Sequence, residues 1–218
     1  LTVPLWNARL LTMVEKTARS SEGIFLRDLL SMPTCLKNEL VSLLIQAEKD
    51  GIWPEQMLEA LVAAVPKTED AKSPNEFRPI VLISLVYRAW SGLRMRQLLV
   101  QLCPALPEGF FGFRTGLSTA DAMLDIMLDV VYALTFNKPL AGLTADLVKC
   151  FNNLPRELIF MMANHIGIPV TVLMPWLGMI GQFKRRFVFH GGVSDGIKSV
   201  RGFPEGDSLG IIAMLLFN

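Results

Sequence analysis

Asp146 lies at the end of a short apolar run, Ala141 to Leu147, and Phe151 follows it five residues later. A run of that length predicts a strand, which would hold the carboxylate on a rigid support. With the Leu147 backbone oxygen beside it, such a carboxylate offers the hard oxygen ligands that magnesium takes. Phosphoryl transfer gains from divalent ions that clamp the attacking and leaving oxygens. Alone the pattern says little, because an aspartate at a strand end is most often a turn or cap residue.

Other residues suited to phosphate chemistry stand in a definite order around it. They are Pro66-Lys67, then Asn75-Glu76-Phe77-Arg78-Pro79-Ile80 with Leu82 and Ser84, then Tyr87-Arg88. Gly112-Phe113-Arg114 with Ser118-Thr119 follows, and finally Arg201-Gly202-Phe203-Pro204-Glu205-Gly206-Asp207 with Leu209. An ammonium such as Lys67 neutralises phosphate charge, and a guanidinium such as Arg78 donates two hydrogen bonds at once. Each also has a plain reading: Lys67 as a solvated loop charge, Arg78 as a surface partner of Glu76, Phe151 as core. Lys184-Arg185-Arg186 is either a solvated turn or a patch for template or primer phosphates. Asp121, Asp125 and Asp129, spaced four apart, read as a solvated helix face, since metal stripes usually recruit His, Glu or Cys too. His165 and His190 read as structural or exposed.

In this order the segments resemble the reverse transcriptase family, in particular the branch carried by non-LTR retrotransposons and related to group II intron enzymes. The resemblance runs from about Pro66 to Gly210, with Trp53-Pro54 and the residues after it a weaker upstream part. It implies an RNA-directed DNA polymerase segment of α+β class: right-hand fingers plus an incomplete palm, helix-rich with a small antiparallel sheet. Residues 1–65 would be an N-terminal helical extension of the fingers, 66–138 the fingers, and 139–218 a partial palm. Asp146 matches the first metal-binding carboxylate, with Leu147 supplying a carbonyl. Phe151 matches the aromatic under the incoming sugar, Lys67 and Arg78 the cations for the triphosphate, and Gly206 the close backbone approach to the nascent base pair. Arg114, Lys184, Arg185 and Arg186 would meet nucleic acid. The implied cofactor is Mg2+, and the implied partners are an RNA template, a DNA primer and deoxynucleoside triphosphates, inside the cell, in nucleus or cytoplasm.

Three departures bear on that expectation. Glu205 stands where the family usually has Gln, and a carboxylate near a triphosphate repels it unless paired or protonated. Gly210-Ile211 replaces the usual Ser-Pro, and Asn152 the usual Asp after the motif aromatic. The family's other catalytic carboxylates sit in a Tyr-x-Asp-Asp hairpin, and no Asp-Asp pair occurs in the 218 residues. The segment is therefore expected to hold magnesium weakly and not to polymerise by itself. The alternative is a decayed or repurposed domain of this type that binds nucleic acid or protein without catalysis. A helical domain with no nucleic-acid role is the third reading.

With 51% hydrophobic residues the chain can bury a substantial core and lacks the signature of disorder. Its net charge of +1, from 21 basic and 20 acidic residues, leaves nucleic-acid binding to local clusters. Cys35, Cys103 and Cys150 are too few and too scattered for a disulfide framework or a zinc site. The start at Leu-Thr-Val-Pro lacks an initiator Met and a signal peptide and reads as an excised segment. The apolar run Leu209 to Phe217 is about half the roughly 20 residues of a membrane span, so it reads as a buried helix.

The elements that must position these residues follow from periodicity. Helices are predicted over Trp6–Ala18, Leu36–Lys49 and from Pro54 through Leu58 and Leu61. A polar loop over 67–75 leads to a strand over Ile80–Ile83 and a helix over Ser84–Leu102 with Arg88, Arg94 and Arg96 on or beside an exposed face. Further helices are expected over about 119–134 and 155–166, a hairpin over 187–200 turning at Gly191-Gly192, and a terminal helix after Gly206.

Overall fold

The computed structural model describes residues 1–14, 21–189 and 192–217. Its elements, in chain order, are α1 (Val3–Leu11), α2 (Leu26–Ser31), α3 (Thr34–Asp50), β1 (Glu59–Pro66), β2 (Phe77–Leu82), α4 (Leu85–Leu102), α5 (Thr119–Thr135), α6 (Cys150–Asn153), α7 (Arg156–His165), α8 (Val170–Gln182), β3 (Lys184–Phe189), β4 (Gly192–Val193), β5 (Ile197–Lys198) and α9 (Gly210–Phe217). This is a mixed α+β architecture in which helices predominate. It divides into two compact units, one of Leu1–Arg96 with Lys149–Asn218 and one of Gln97–Val148. Among the described residues no helix is long and apolar enough to cross a membrane.

The first unit is built around one sheet of strand order β2-β1-β3-β4, with β5 also paired to β3. β1 runs antiparallel to β2 but parallel to β3, so the sheet is mixed and not the antiparallel sheet expected. The parallel pair arises because α4 through α8 intervene between β1 and β3, and parallel neighbours need such a long crossover. The expected helix through Leu58 and Leu61 is a short 3-10 turn, Glu55–Met57, followed by β1. Its Ala-rich sequence suits a helix, but pairing on both sides and burial of Ala60 and Val62 override that preference.

Two aromatic clusters hold the helices to one another. Trp53 packs edge-on to Tyr87 and Trp90 at 5.2 and 5.1 Å, and Trp176 lies 5.0 Å from Phe160 and 5.3 Å from Phe203. The Trp53 indole N–H donates to the Pro175 carbonyl at 2.7 Å, joining the segment after α3 to α8. α8 was not foreseen. Pro175 interrupts its pattern, and the helix is apolar on most of its surface, which blurs helical periodicity. Gly178 lets α8 approach closely, since a Cβ there would strike the Gly51 carbonyl oxygen.

Arg94 is not on an exposed face. Its Nε donates to Glu48 at 2.8 Å, and the Trp90 indole N–H donates to the same carboxylate at 2.7 Å, deep against α3. Arg88 is half-buried, and Arg96 is exposed and donates to the Thr12 hydroxyl at 2.9 Å. α1 ends at Leu11, before the expected boundary at Ala18, which lies outside the described residues along with His190 and Gly191. The helices expected from about 36, 84, 155 and 206 onward are present as α3, α4, α7 and α9.

The second unit contains the end of α4, a loop, α5 and the stretch after it. Ser118 caps α5: its backbone N–H and hydroxyl both donate to Asp121, at 2.7 and 2.6 Å. Those bonds hold the Asp121 carboxyl below its usual range. Residues 141–147 form no strand. The expected strand has no hydrogen-bonded neighbour there, and an isolated apolar stretch has nothing to satisfy its backbone.

Candidate functional site

One face of the sheet is lined in register. Ala60, Val62 and Ala64 of β1 lie beside Pro79 and Val81 of β2 and beside Arg185 and Phe187 of β3, with Phe189 continuing the same face. Side chains alternate along a strand, so residues two apart share a face. Between this face, the 67–75 loop and the Lys149–Asn152 segment is a groove of ≈ 880 Å³. Five cations line it, Lys67, Lys72, Arg78, Lys149 and Arg185, against one carboxylate, Glu205. None of the five is in an ion pair among the described residues. In a chain of net charge +1, this is a strongly local concentration of positive charge.

Asn75 organises one side of the groove. Its backbone oxygen accepts from the Lys67 ammonium at 2.7 Å and its side-chain oxygen from Lys149 at 3.4 Å. Glu76, the expected partner of Arg78, instead caps the turn, accepting backbone N–H groups of Lys72 at 2.6 Å and Ser73 at 2.9 Å. Those bonds, Ser73 first, hold its carboxyl below the usual range. Arg78 is exposed on the edge strand β2 and borders the groove.

On the other side, Asn152 bridges two charges. Its Nδ2 donates to Glu205 at 2.9 Å, and its Oδ1 accepts from Arg185 at 3.4 Å. Burial lowers the Arg185 pKa, and the Glu205 charge partly restores it. Arg156 is likewise pushed down, to about 10, by burial and then by Arg185. It nonetheless stays charged at neutral pH and donates to the carbonyls of Gly202, Ser199, Arg201 and Ile180, which holds the 199–202 segment in place. Gly202 has φ +66 with the Asn152 backbone where a Cβ would sit, so only glycine allows this approach.

A smaller pocket of ≈ 480 Å³ adjoins, lined by Phe151, Glu205, Gly206, Asp207, Ser208 and Ile211, so that Glu205 faces both spaces. The half-buried Phe151 ring rests against Gly210, 3.4 Å from where a Cβ would stand. Gly206 adopts φ +103, a left-handed conformation that favours glycine. Beneath the pocket, Asp207 is buried. It accepts from the Trp176 indole at 3.1 Å and the Leu209 N–H at 3.1 Å, and burial pushes its pKa up to about 6.

No protein-family model matches this sequence, and neither does any curated protein.

The expected site residues thus divide. Lys67, Arg78, Arg185 and Glu205 meet around the groove, and Phe151, Glu205 and Gly206 around the pocket. Lys184 and Arg186 alternate with Arg185 onto the other face, and Arg186 is engaged by Glu59 at 2.8 and 3.0 Å. The three basic residues are therefore not one patch. Asp146, Leu147 and Arg114 belong to the second unit. Asp146 and Leu147 are exposed, and Arg114 donates to the Pro107 and Phe110 carbonyls at 3.1 and 3.4 Å, which ties its own loop. Among the described residues no three His, Cys, Asp or Glu side chains cluster as metal ligands. A single carboxylate does not fit a two-metal centre, so no chemical step is assigned to a metal here.

Sequence reading missed Lys72, Lys149, Asn75 and Asn152 as lining residues. Lys149 and Asn152 flank Phe151 within the segment singled out for its aspartate, so the signal was present there. Lys72 lies in a polar loop that carried none.

Proposed function

We propose that this chain is the fingers and part of the palm of a reverse-transcriptase-type, RNA-directed DNA polymerase, and that the groove and adjoining pocket receive a deoxynucleoside triphosphate. The observation that carries the reading is the convergence of two distant parts of the chain. Lys67 and Arg78 border the same groove as Glu205, and Glu205 also faces the pocket of Phe151 and Gly206. In this arrangement the triphosphate lies among the groove cations, where charge-assisted hydrogen bonds are strongest. The sugar sits against Phe151, whose ring leaves little room for a 2′-hydroxyl, and the Gly206 backbone approaches the base. Asn152 and Arg185 offset the charge of Glu205, the residue expected to repel the ligand.

Titration calorimetry with a deoxynucleoside triphosphate and Mg2+ tests the reading. Lys67→Ala and Arg78→Ala should each weaken binding about ten-fold, the loss expected for a charged hydrogen bond. Phe151→Ala should narrow the preference for deoxy- over ribonucleotides. Unchanged affinity in both lysine and arginine variants, or no binding by the parent chain, overturns it.

A second reading, nucleic-acid binding without catalysis, is favoured by Glu205, a carboxylate among the cations meant for phosphate. Binding of an oligonucleotide that weakens with salt, by a chain that binds no nucleotide, would select it.

A further inference from the structure

Where α1 meets α4, a cluster of polar groups serves neither the core nor the groove. Thr12 follows the last residue of α1, and two guanidinium groups converge on its hydroxyl oxygen. Arg9 donates to it through Nη1 at 3.2 Å, and Arg96 through its own Nη1 at 2.9 Å. Thr12 itself is exposed. Neither arginine is in an ion pair among the described residues. Burial lowers the Arg9 pKa, and the neighbouring Arg96 charge lowers it further. Two like charges are thus held over one neutral oxygen, an arrangement that a dianion relieves and a hydroxyl does not.

α4 supplies a seat for this pair. Ala89, Gly92 and Arg96 are spaced three and four apart along it and so share one stripe. The Arg9 Nε donates to the Ala89 carbonyl at 3.3 Å, and its guanidinium fills the space over Gly92, where a Cβ would strike it. That anchorage leaves Nη1 of Arg9 directed at Thr12.

We infer that Thr12 is a phosphorylation site whose phosphate docks between Arg9 and Arg96 and fastens the end of α1 to α4. In that step a serine/threonine kinase transfers the γ-phosphoryl group of a nucleoside triphosphate. The bond from Thr12 Oγ1 to phosphorus forms, the bond to the β-phosphate oxygen breaks, the hydroxyl proton is lost and the nucleoside diphosphate leaves. Arg9 stands three residues before the acceptor, the kind of charge pattern by which kinases choose substrates. A phosphate brings about two negative charges and three acceptor oxygens, enough for both guanidinium groups, whereas a carboxylate brings one charge. Phosphorylation removes the hydroxyl's own donation to the Arg9 carbonyl at 2.8 Å, but the Thr12 backbone N–H keeps that carbonyl paired at 3.1 Å. The phosphate also meets the negative end of the α1 dipole. That repulsion is weaker than one charge-assisted hydrogen bond, and two form.

The test installs phosphothreonine in place of Thr12 in the 218-residue chain and follows its phosphorus-31 resonance with pH. The second pKa of the phosphate, ordinarily about 6, should fall by about one unit. Arg96→Ala, at an exposed position that should not disturb folding, should remove about half of that shift. Arg27→Ala, also exposed, should leave it unchanged. In a second arm the unmodified folded chain is treated with a basophilic kinase and ATP, and peptide mass mapping should find the phosphate on Thr12. An ordinary second pKa, a shift that Arg96→Ala leaves intact, or phosphate only on other residues overturns the proposal. So does inorganic phosphate raising the thermal midpoint of the unmodified chain as far as the covalent group does, since the pair would then be a site for free anions. No deoxynucleoside triphosphate enters either arm, so this inference and the triphosphate reading stand or fall separately.

Discussion

The groove side of the first unit and the loop-and-helix second unit carry comparable motif residues but hold them differently. Around the groove, partners come from far along the chain: Lys149 reaches Asn75, Asn152 reaches Glu205, and Arg156 reaches the 199–202 carbonyls. In the second unit Arg114 bonds to Pro107 and Phe110, Ser118 to Asp121 and Thr135 to Val131, each close by in the chain. Most of α5 is exposed and apolar, including Met123, Ile126, Met127 and Tyr132. A motif residue placed by long-range packing has a determined neighbourhood, whereas one placed by local bonds has only a determined loop. That is why Glu205 and Lys67 can be assigned a shared space and Asp146 only an exposed segment.

The sharpest way to break this contrast is at the Glu48 carboxylate. Glu48→Ala leaves Arg94 and the Trp90 N–H buried without their shared acceptor, and should cost about 3–5 kcal/mol in urea unfolding. A loss under 1 kcal/mol would show that the first unit is not held by long-range contacts. Gly202→Ala should cost about 2–4 kcal/mol, from a left-handed backbone and a clash with Asn152. Gly142→Ala in the second unit meets nothing nearby and should stay within about 0.5 kcal/mol. A reversed order would reverse the comparison.

Asp207 adds a dependence on pH. Its folded pKa of about 6 exceeds the ordinary 3.8, so the folded state binds the extra proton between those values. Stability from this group is therefore complete below about pH 4 and declines as pH rises through about 6, by up to about 3 kcal/mol. Asp207→Asn should flatten that slope in denaturation midpoints measured from pH 4 to 7, and an unchanged slope would remove Asp207 as its source. Arg114→Ala should cost about 1 kcal/mol, seen as faster amide exchange confined to its own loop.

Much of the first unit was legible because its signals are local. Periodicity located α3 and α4, and proline and glycine bounded α7. What misled was any segment whose state depends on a neighbour. Ala-rich β1 is a strand because β2 and β3 flank it, while 141–147, where a strand was expected, has no flanking strand. The basic triplet 184–186 looked like one patch, but strand alternation turned Arg185 to the groove and left Arg186 with Glu59.

From the residues alone came the helix-dominated α+β class and the helices α3, α4, α5, α7 and α9, consequences of side-chain size and period, while the candidate cations and the close approach at Gly206 were what the resemblance implied. Tertiary structure decided the parallel β1–β3 pairing, the burial of Arg94 and Asp207, and the meeting of Lys67 with Glu205 around one groove. Pairing and burial depend on which distant surfaces meet, and a contact between residues more than a hundred positions apart leaves no periodic trace in either of them.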